Sequence, residues 1–176
     1  MSTYHHGDLR SAVLRASGKV LEKEGIAGLS LRDVARRAGV SHNAPYRHFP
    51  DRDALLAALA AEGFQLLAEA MRDHSGREMG EAYVRFALEH PQRFRLMFGG
   101  VIAFSKYPEL RAAADGAYQS LVAAFKDLPR PDLAAAGAWS LVHGLSHLLL
   151  DGHFAHADPR VFAKEVLGAV RFAQRA

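Results

Sequence analysis

Residues 30–49 read Ser30-Leu31-Arg32-Asp33-Val34-Ala35-Arg36-Arg37-Ala38-Gly39-Val40-Ser41-His42-Asn43-Ala44-Pro45-Tyr46-Arg47-His48-Phe49, and this stretch decides the fold. Ser30 followed three residues later by Asp33 is a capping box: the hydroxyl accepts the Asp33 N–H while the carboxylate reaches back. A helix therefore starts here and runs to Ala38. Gly39 stops it, because glycine enters the left-handed conformation without a Cβ penalty. Val34 and Val40 face inward, and Ala35 marks a crossing too close for a larger side chain. Ser41 caps a further helix to about Phe49, with Pro45 in its first turn, where a missing N–H costs little. Two helices around a tight glycine turn make a helix-turn-helix, whose second helix offers its N-terminal residues to a DNA major groove.

The side chains suit that geometry. Asn43 can pair bidentately with adenine, and His42 can donate to guanine. Tyr46, His48 and Arg52 stand where they can hold phosphates. Phe49 reads as core, and Arg36 and Arg37 as a solvated face. The charge agrees: residues 1–55 hold nine Lys/Arg and six Asp/Glu, so the whole net charge of +3 lies in the first third. A basic head on a neutral body is the footprint of a polyanion binder.

Outward from this segment the chain is all-α, with about nine helices. Leu9, Val13, Ala16, Val20 and Leu21 form one stripe of a first helix, capped at Asp8 and closed by Gly25. After Pro50 a long helix runs from about Asp51 to Asp73. Helices follow over about Arg77–His90, from Pro91, over Pro108–Leu128, over Asp132–Leu150, and from Asp158-Pro159 to near Gln174. Residues 1–50 are read as a three-helix head and residues 51–176 as a helical body. The chain has no cysteine, which excludes disulfides and thiolate chemistry. The longest uninterrupted apolar run, Ala54–Ala61, is far short of a membrane span, and the first residues are polar, so a cytoplasmic protein without membrane attachment is expected.

In the body, Tyr83, Phe86, His90, Phe94, Met97, Phe98, Tyr118, Trp139 and His143 could line a cavity or form plain core. His143 and His147 lie one turn apart, with Asp151, His153 and His156 beyond, a spacing able to bind metal. No His-Glu-x-x-His pattern is present, so no metal or other cofactor is expected. A metal-dependent enzyme built on these histidines is the competing reading, and it leaves the helix-turn-helix without a purpose.

The segments Tyr4-His5-His6-Gly7-Asp8-Leu9, Leu31 through Ser41, and Tyr46-Arg47-His48-Phe49 resemble the DNA-binding domain of the TetR/AcrR family of bacterial regulators. Tyr83 through Pro91 and Trp139-Ser140-Leu141-Val142-His143-Gly144 resemble the ligand-binding domain named for its Trp, His and Gly. The resemblance implies a homodimeric repressor on a palindromic double-stranded operator. It places Arg32, His42, Asn43 and Tyr46 at base-contacting positions, and Ser30, Ser41, Tyr46, His48 and Arg52 at phosphate-contacting ones. It also implies a dimer interface on the last two helices, where Gly137, Gly144, Leu148, Phe162, Val166, Ala169 and Val170 combine small and apolar surface. The nine body residues named above would line the effector pocket. Arg85, Arg93, Arg95 and Arg111 read as surface positions, so a charged effector would be buried unpaired, and a small neutral apolar or aromatic molecule is expected. A DNA-binding regulator with no effector, its pocket filled by aromatics, is the alternative within the same class.

Overall fold

Four of the helices begin on proline, which is pre-shaped for the first helical position and has no N–H to leave unsatisfied there. The computed structural model describes residues 6–154 and 158–170. Among these residues it contains eight α-helices, three short 3₁₀ turns and no strand. The helices are α1 (His6–Glu24), α2 (Leu31–Arg37), α3 (Arg52–Met71), α4 (Gly76–Glu89), α5 (Pro91–Phe98), α6 (Pro108–Ala123), α7 (Pro131–Leu150) and α8 (Pro159–Ala169). The all-α expectation holds. The expected extension of the last helix to Gln174, and His5 and His156, lie outside the described residues.

The count is eight rather than nine because residues 41–49 form no α-helix. They make a turn closed by the Ala44 N–H to the Ser41 carbonyl (3.0 Å), followed by a single 3₁₀ turn at Pro45–Arg47. Pro45 removes one backbone donor from the segment, and the Ser41–Ala44 turn and the 3₁₀ bonds take its N–H groups instead. Helix α1 starts at His6, two residues ahead of the expected cap at Asp8. Asp51 caps α3, its carboxylate accepting the Ala54 N–H at 2.7 Å.

The chain divides into two compact units that do not follow a single cut at residue 50. The first comprises residues 1–63 and 92–113, the second 64–91 and 114–176. In the first, Val13, Val20, Leu21, Leu29, Val34, Ala35, Phe49, Leu55, Leu56 and Leu59 are buried, together with Phe94, Leu96 and Met97 of α5. The early leucines of α3 and the apolar face of α5 thus belong with the head. In the second unit α4 packs on α7 and α8. Gly80 permits this: a Cβ there would stand 3.2 Å from Val142 Cγ1 and 3.5 Å from Leu167 Cδ1.

Measured over 18-residue windows rather than uninterrupted runs, α3 and α7 are each long and apolar enough to cross a membrane, with mean hydropathy 1.4. Core helices of water-soluble proteins pass the same test, and α3 is mostly buried. In α7 two thirds of the window is not buried, so this helix carries apolar surface beyond the needs of its own unit.

Candidate nucleic-acid interface

The head is organised around the start of α2. Ser30 has extended backbone, and its Oγ accepts the Asp33 N–H at 3.1 Å, one half of the capping box. The other half is replaced: the Asp33 carboxylate turns outward, accepting from Arg36 Nη2 and from Arg37 Nε (2.7 Å). Arg37 also donates through Nη2 to Glu24 of α1 at 2.7 Å. The two guanidinium groups hold the Asp33 carboxyl below its ordinary range, Arg36 first and then Arg37.

The end of α2 is a Schellman turn. Val40 N–H donates to the Ala35 carbonyl (3.0 Å) and Gly39 N–H to Arg36 (3.2 Å). Gly39 has φ 69°, where an L side chain is strained. This turn carries Ser41, His42 and Asn43 outward, all exposed.

Ser30, Arg32, Ser41 and His42, four of the eight DNA-contacting residues expected from sequence, line one open groove of about 560 Å³ with Asp33, Arg36 and Val40. Asn43 and Tyr46 are exposed next to it along the chain, Tyr46 at 50%. His48 and Arg52 are placed differently. His48 buries Nε2 without a hydrogen-bond partner, so only Nδ1 can meet a phosphate. Arg52 donates through Nε to the Leu29 carbonyl (2.8 Å) and through Nη2 to that of Ile26, tying α3 to the segment before α2. Asp33 and Arg36 as groove residues escaped the sequence reading. Their signal is the spacing of Asp33 to Arg36 and Arg37 at i,i+3 and i,i+4.

In the second unit the expected pocket residues separate. Tyr83, Tyr118, Trp139 and His143 stand together. Trp139 Nε1–H donates to the Tyr83 oxygen (3.1 Å), and Tyr83 Oη lies 2.9 Å from His143 Nδ1. The Tyr118 and Trp139 rings lie 5.8 Å apart, and His147 meets His143 edge-on at 4.7 Å. Phe86 and His90 pair at 5.1 Å near the end of α4. Phe94, Met97 and Phe98 belong to the first unit, the first two fully buried. Arg93, read as a surface position, is also buried: it is 7% exposed and bonded to Glu62. A cavity of about 60 Å³ opens beside Tyr83, lined by Met71, Met79, Gly80, Leu121, Phe125 and Val142 among others, and Tyr83 is the one residue of the expected pocket that lines it. Among the described residues no three His, Asp or Glu side chains come together as metal ligands.

The expected interface residues are variously placed. Gly137 and Gly144 face open space, and Leu148, Ala169 and Val170 are exposed. Phe162 and Val166 are half-buried. On the same helix α7, Ala135, Leu145 and Leu149 are buried within the fold.

The all-α architecture, the capped α2 and the glycine turn that follows it match the first helix and turn of a helix-turn-helix protein. The family profile described as bacterial regulatory proteins, tetR family, matches residues 13–59, and that described as tetracyclin repressor-like, C-terminal domain, matches residues 76–170. The chain belongs to the TetR family, whose members are DNA-binding transcriptional regulators. A solved structure from Rhodococcus sp. RHA1, described as a protein with unknown function, is 32% identical, covers 96% of both chains and has a TM-score of 0.80. The HTH-type transcriptional regulator Rv1816 of Mycobacterium tuberculosis is 28% identical over 130 residues, 68% of this chain and 55% of its own. The chain thus spans about half the length of the curated relatives it matches. The TetR family transcriptional regulator PfmR from Thermus thermophilus shares the fold at 19% identity, with 89% and 94% of the chains covered and a TM-score of 0.63.

Proposed function

We propose that this chain is a cytoplasmic, homodimeric repressor that reads a palindromic DNA operator and is released from it by a small neutral, apolar or aromatic molecule. The observation that carries this reading is the groove in which the N-terminus of α2 and the turn at 41–42 set Ser30, Arg32, Ser41 and His42 around one concavity. DNA reading falls to the head in the first unit, and effector binding and dimerisation to the second. The unpartnered apolar surface of α7 and α8 supports dimerisation: Leu133 is 56% exposed, Val161 54% and Leu148 41%. A protein that selects a short palindromic duplex from a random pool, and binds it far better than its scrambled counterpart, fits the proposal. Asn43→Ala then weakens the selected duplex by about 1–3 kcal/mol and relaxes one base position. Equal binding of both duplexes at physiological salt refutes operator recognition, and a monomer at micromolar concentration in sedimentation refutes the dimer.

A regulator without an effector is the second reading. The cavity beside Tyr83 favours it, at about 60 Å³, where small-molecule pockets span roughly 300–1,000 Å³. Trp139, the chain's single tryptophan, separates the two. A panel of neutral aromatic compounds that leaves both its emission and operator binding unchanged supports the second reading.

A further inference from the structure

The groove at the start of α2 holds a carboxylate. By itself, Asp33 would repel a phosphate backbone brought against Ser30, Arg32 and His42. Its surroundings reverse this. Arg37 is engaged on both sides, with Nε on Asp33 and Nη2 on Glu24, so it fixes the carboxylate relative to α1. Arg36 is held at one arm only, Nη2 on Asp33. Its side chain is 73% exposed and lines the same groove as Ser30, Arg32, Ser41 and His42. A guanidinium carries five N–H donors in a fixed plane, so one arm on Asp33 sets the direction of the others. Asp33 is the one carboxylate among the residues that line the groove, and two arginines cover it.

We infer that Arg36 is a further DNA-backbone contact and that Asp33 is the positioning residue that aims it. The sequence alone places Arg36 and Arg37 together on a solvated face. The structure separates them: Arg37 is a tie within the head, and Arg36 is a donor directed at the groove. The inference rests on the DNA-binding reading above.

The test uses the full-length protein, a random-sequence 30-base-pair duplex and the palindrome it selects from a pool, each titrated between about 50 and 200 mM salt. If wild type binds neither duplex, the DNA-binding reading itself fails, and the inference fails with it. If wild type binds, Arg36→Gln is expected to lower the slope of log affinity against log salt by about one on both duplexes. That is a three- to fourfold smaller change in affinity across this range. Arg36→Lys keeps the slope. Asp33→Asn, with Arg36 charged but no longer held, keeps the slope and lowers the ratio of palindrome to random-sequence binding by at least threefold. Asp33→Glu, which retains the charge and displaces the guanidinium, lowers the same ratio and guards against a folding defect in the amide variant. A purely structural role for Asp33 would move the thermal midpoint and leave that ratio untouched. A wild-type slope in Arg36→Gln overturns the contact, and a wild-type ratio in both Asp33 variants overturns the positioning.

Discussion

Each compact unit contains a partly buried polar cluster, and the two are built on opposite principles. In the first unit the cluster is ionic. The Arg93 guanidinium donates through Nη1 to Glu62 (2.8 Å) and to the Leu59 carbonyl (3.2 Å). The Glu22 carboxylate of α1 accepts the backbone N–H groups of Gln92 and Arg93, both at 3.2 Å. Those are orphan donors of the first turn of α5, where a negative charge also meets the positive end of the helix dipole. One arginine and two carboxylates thus fix α1, α3 and α5 to each other. In the second unit the cluster is neutral. An indole N–H can only donate, so the Tyr83 oxygen accepts from Trp139 and its own O–H is left for His143 Nδ1. Burial pushes the Tyr83 hydroxyl far above its ordinary range. The contrast predicts a more rigid cluster in the first unit and a more adaptable one in the second. Charges out of water are costly to separate, whereas a neutral chain of hydrogen bonds can lose one member at modest cost and can respond to protons.

The largest effect is expected from breaking the ionic cluster. Arg93→Met leaves the Leu59 carbonyl without its side-chain donor and the half-buried Glu62 without its partner. A loss of about 2 kcal/mol is expected from the urea midpoint, because Arg93 is buried while the Glu62 side chain keeps 35% of its surface in water. Glu22→Gln, which keeps one acceptor for the two N–H groups of α5, should cost about 1 kcal/mol. If Arg93→Met were nearly neutral, the ionic cluster would be no more rigid than its neutral counterpart and the contrast would collapse.

The neutral cluster should yield less. Tyr83→Phe keeps the ring and removes the hydroxyl between Trp139 and His143, and a loss of about 1–2 kcal/mol is expected. Trp139 emission should shift with it, because the indole N–H loses that acceptor. An unchanged emission maximum together with unchanged stability would show that the hydrogen-bonded chain contributes nothing in solution.

Local signals made most of the fold legible. Proline at the first position gave the starts of α5, α6 and α8, Gly39 gave the end of α2, and Ser30 its beginning. Two kinds of feature were hidden. Residues 41–49 carry helix-like markers but form only a turn and a 3₁₀ turn, with Pro45 lacking the N–H that an α-helical turn would use. Long-range partners were hidden too. Arg93 reads as one more arginine on an amphipathic helix, and only the approach of α1 and α3 buries it. In the same way, Asp33 reads as a capping carboxylate until Arg36 and Arg37, one turn on, compete for it. The side chains at the groove were readable because the turn geometry fixes them locally. The aromatic body was not, because Phe94 and Met97 belong to a different compact unit from Tyr83 and Trp139, and no local pattern records that division.

The smallest effect, and the sharpest discriminator, is pH. Burial, and then repulsion from His147, hold the His143 pKa below its usual value of 6.5. The neutral imidazole is also the form that accepts from Tyr83. A histidine with a depressed folded-state pKa binds fewer protons folded than unfolded at mildly acidic pH, so its contribution to stability is full above about 6.5 and declines as pH falls below that value. The thermal midpoint of the wild type should therefore drop between pH 7 and 5 by more than that of His143→Gln. The drop should stay smaller than the loss in Tyr83→Phe, because His143 is only half-buried and solvent screens its charge. Trp139 emission should change over the same pH interval in the wild type and stay constant in the variant. Arg93→Met, which leaves Tyr83, Trp139 and His143 in place, should keep the wild-type pH slope while starting from a lower midpoint. If instead the Arg93 variant flattened the slope and the His143 variant did not, the proton response would belong to the ionic cluster, and the assignment of rigidity to one unit and adaptability to the other would be reversed.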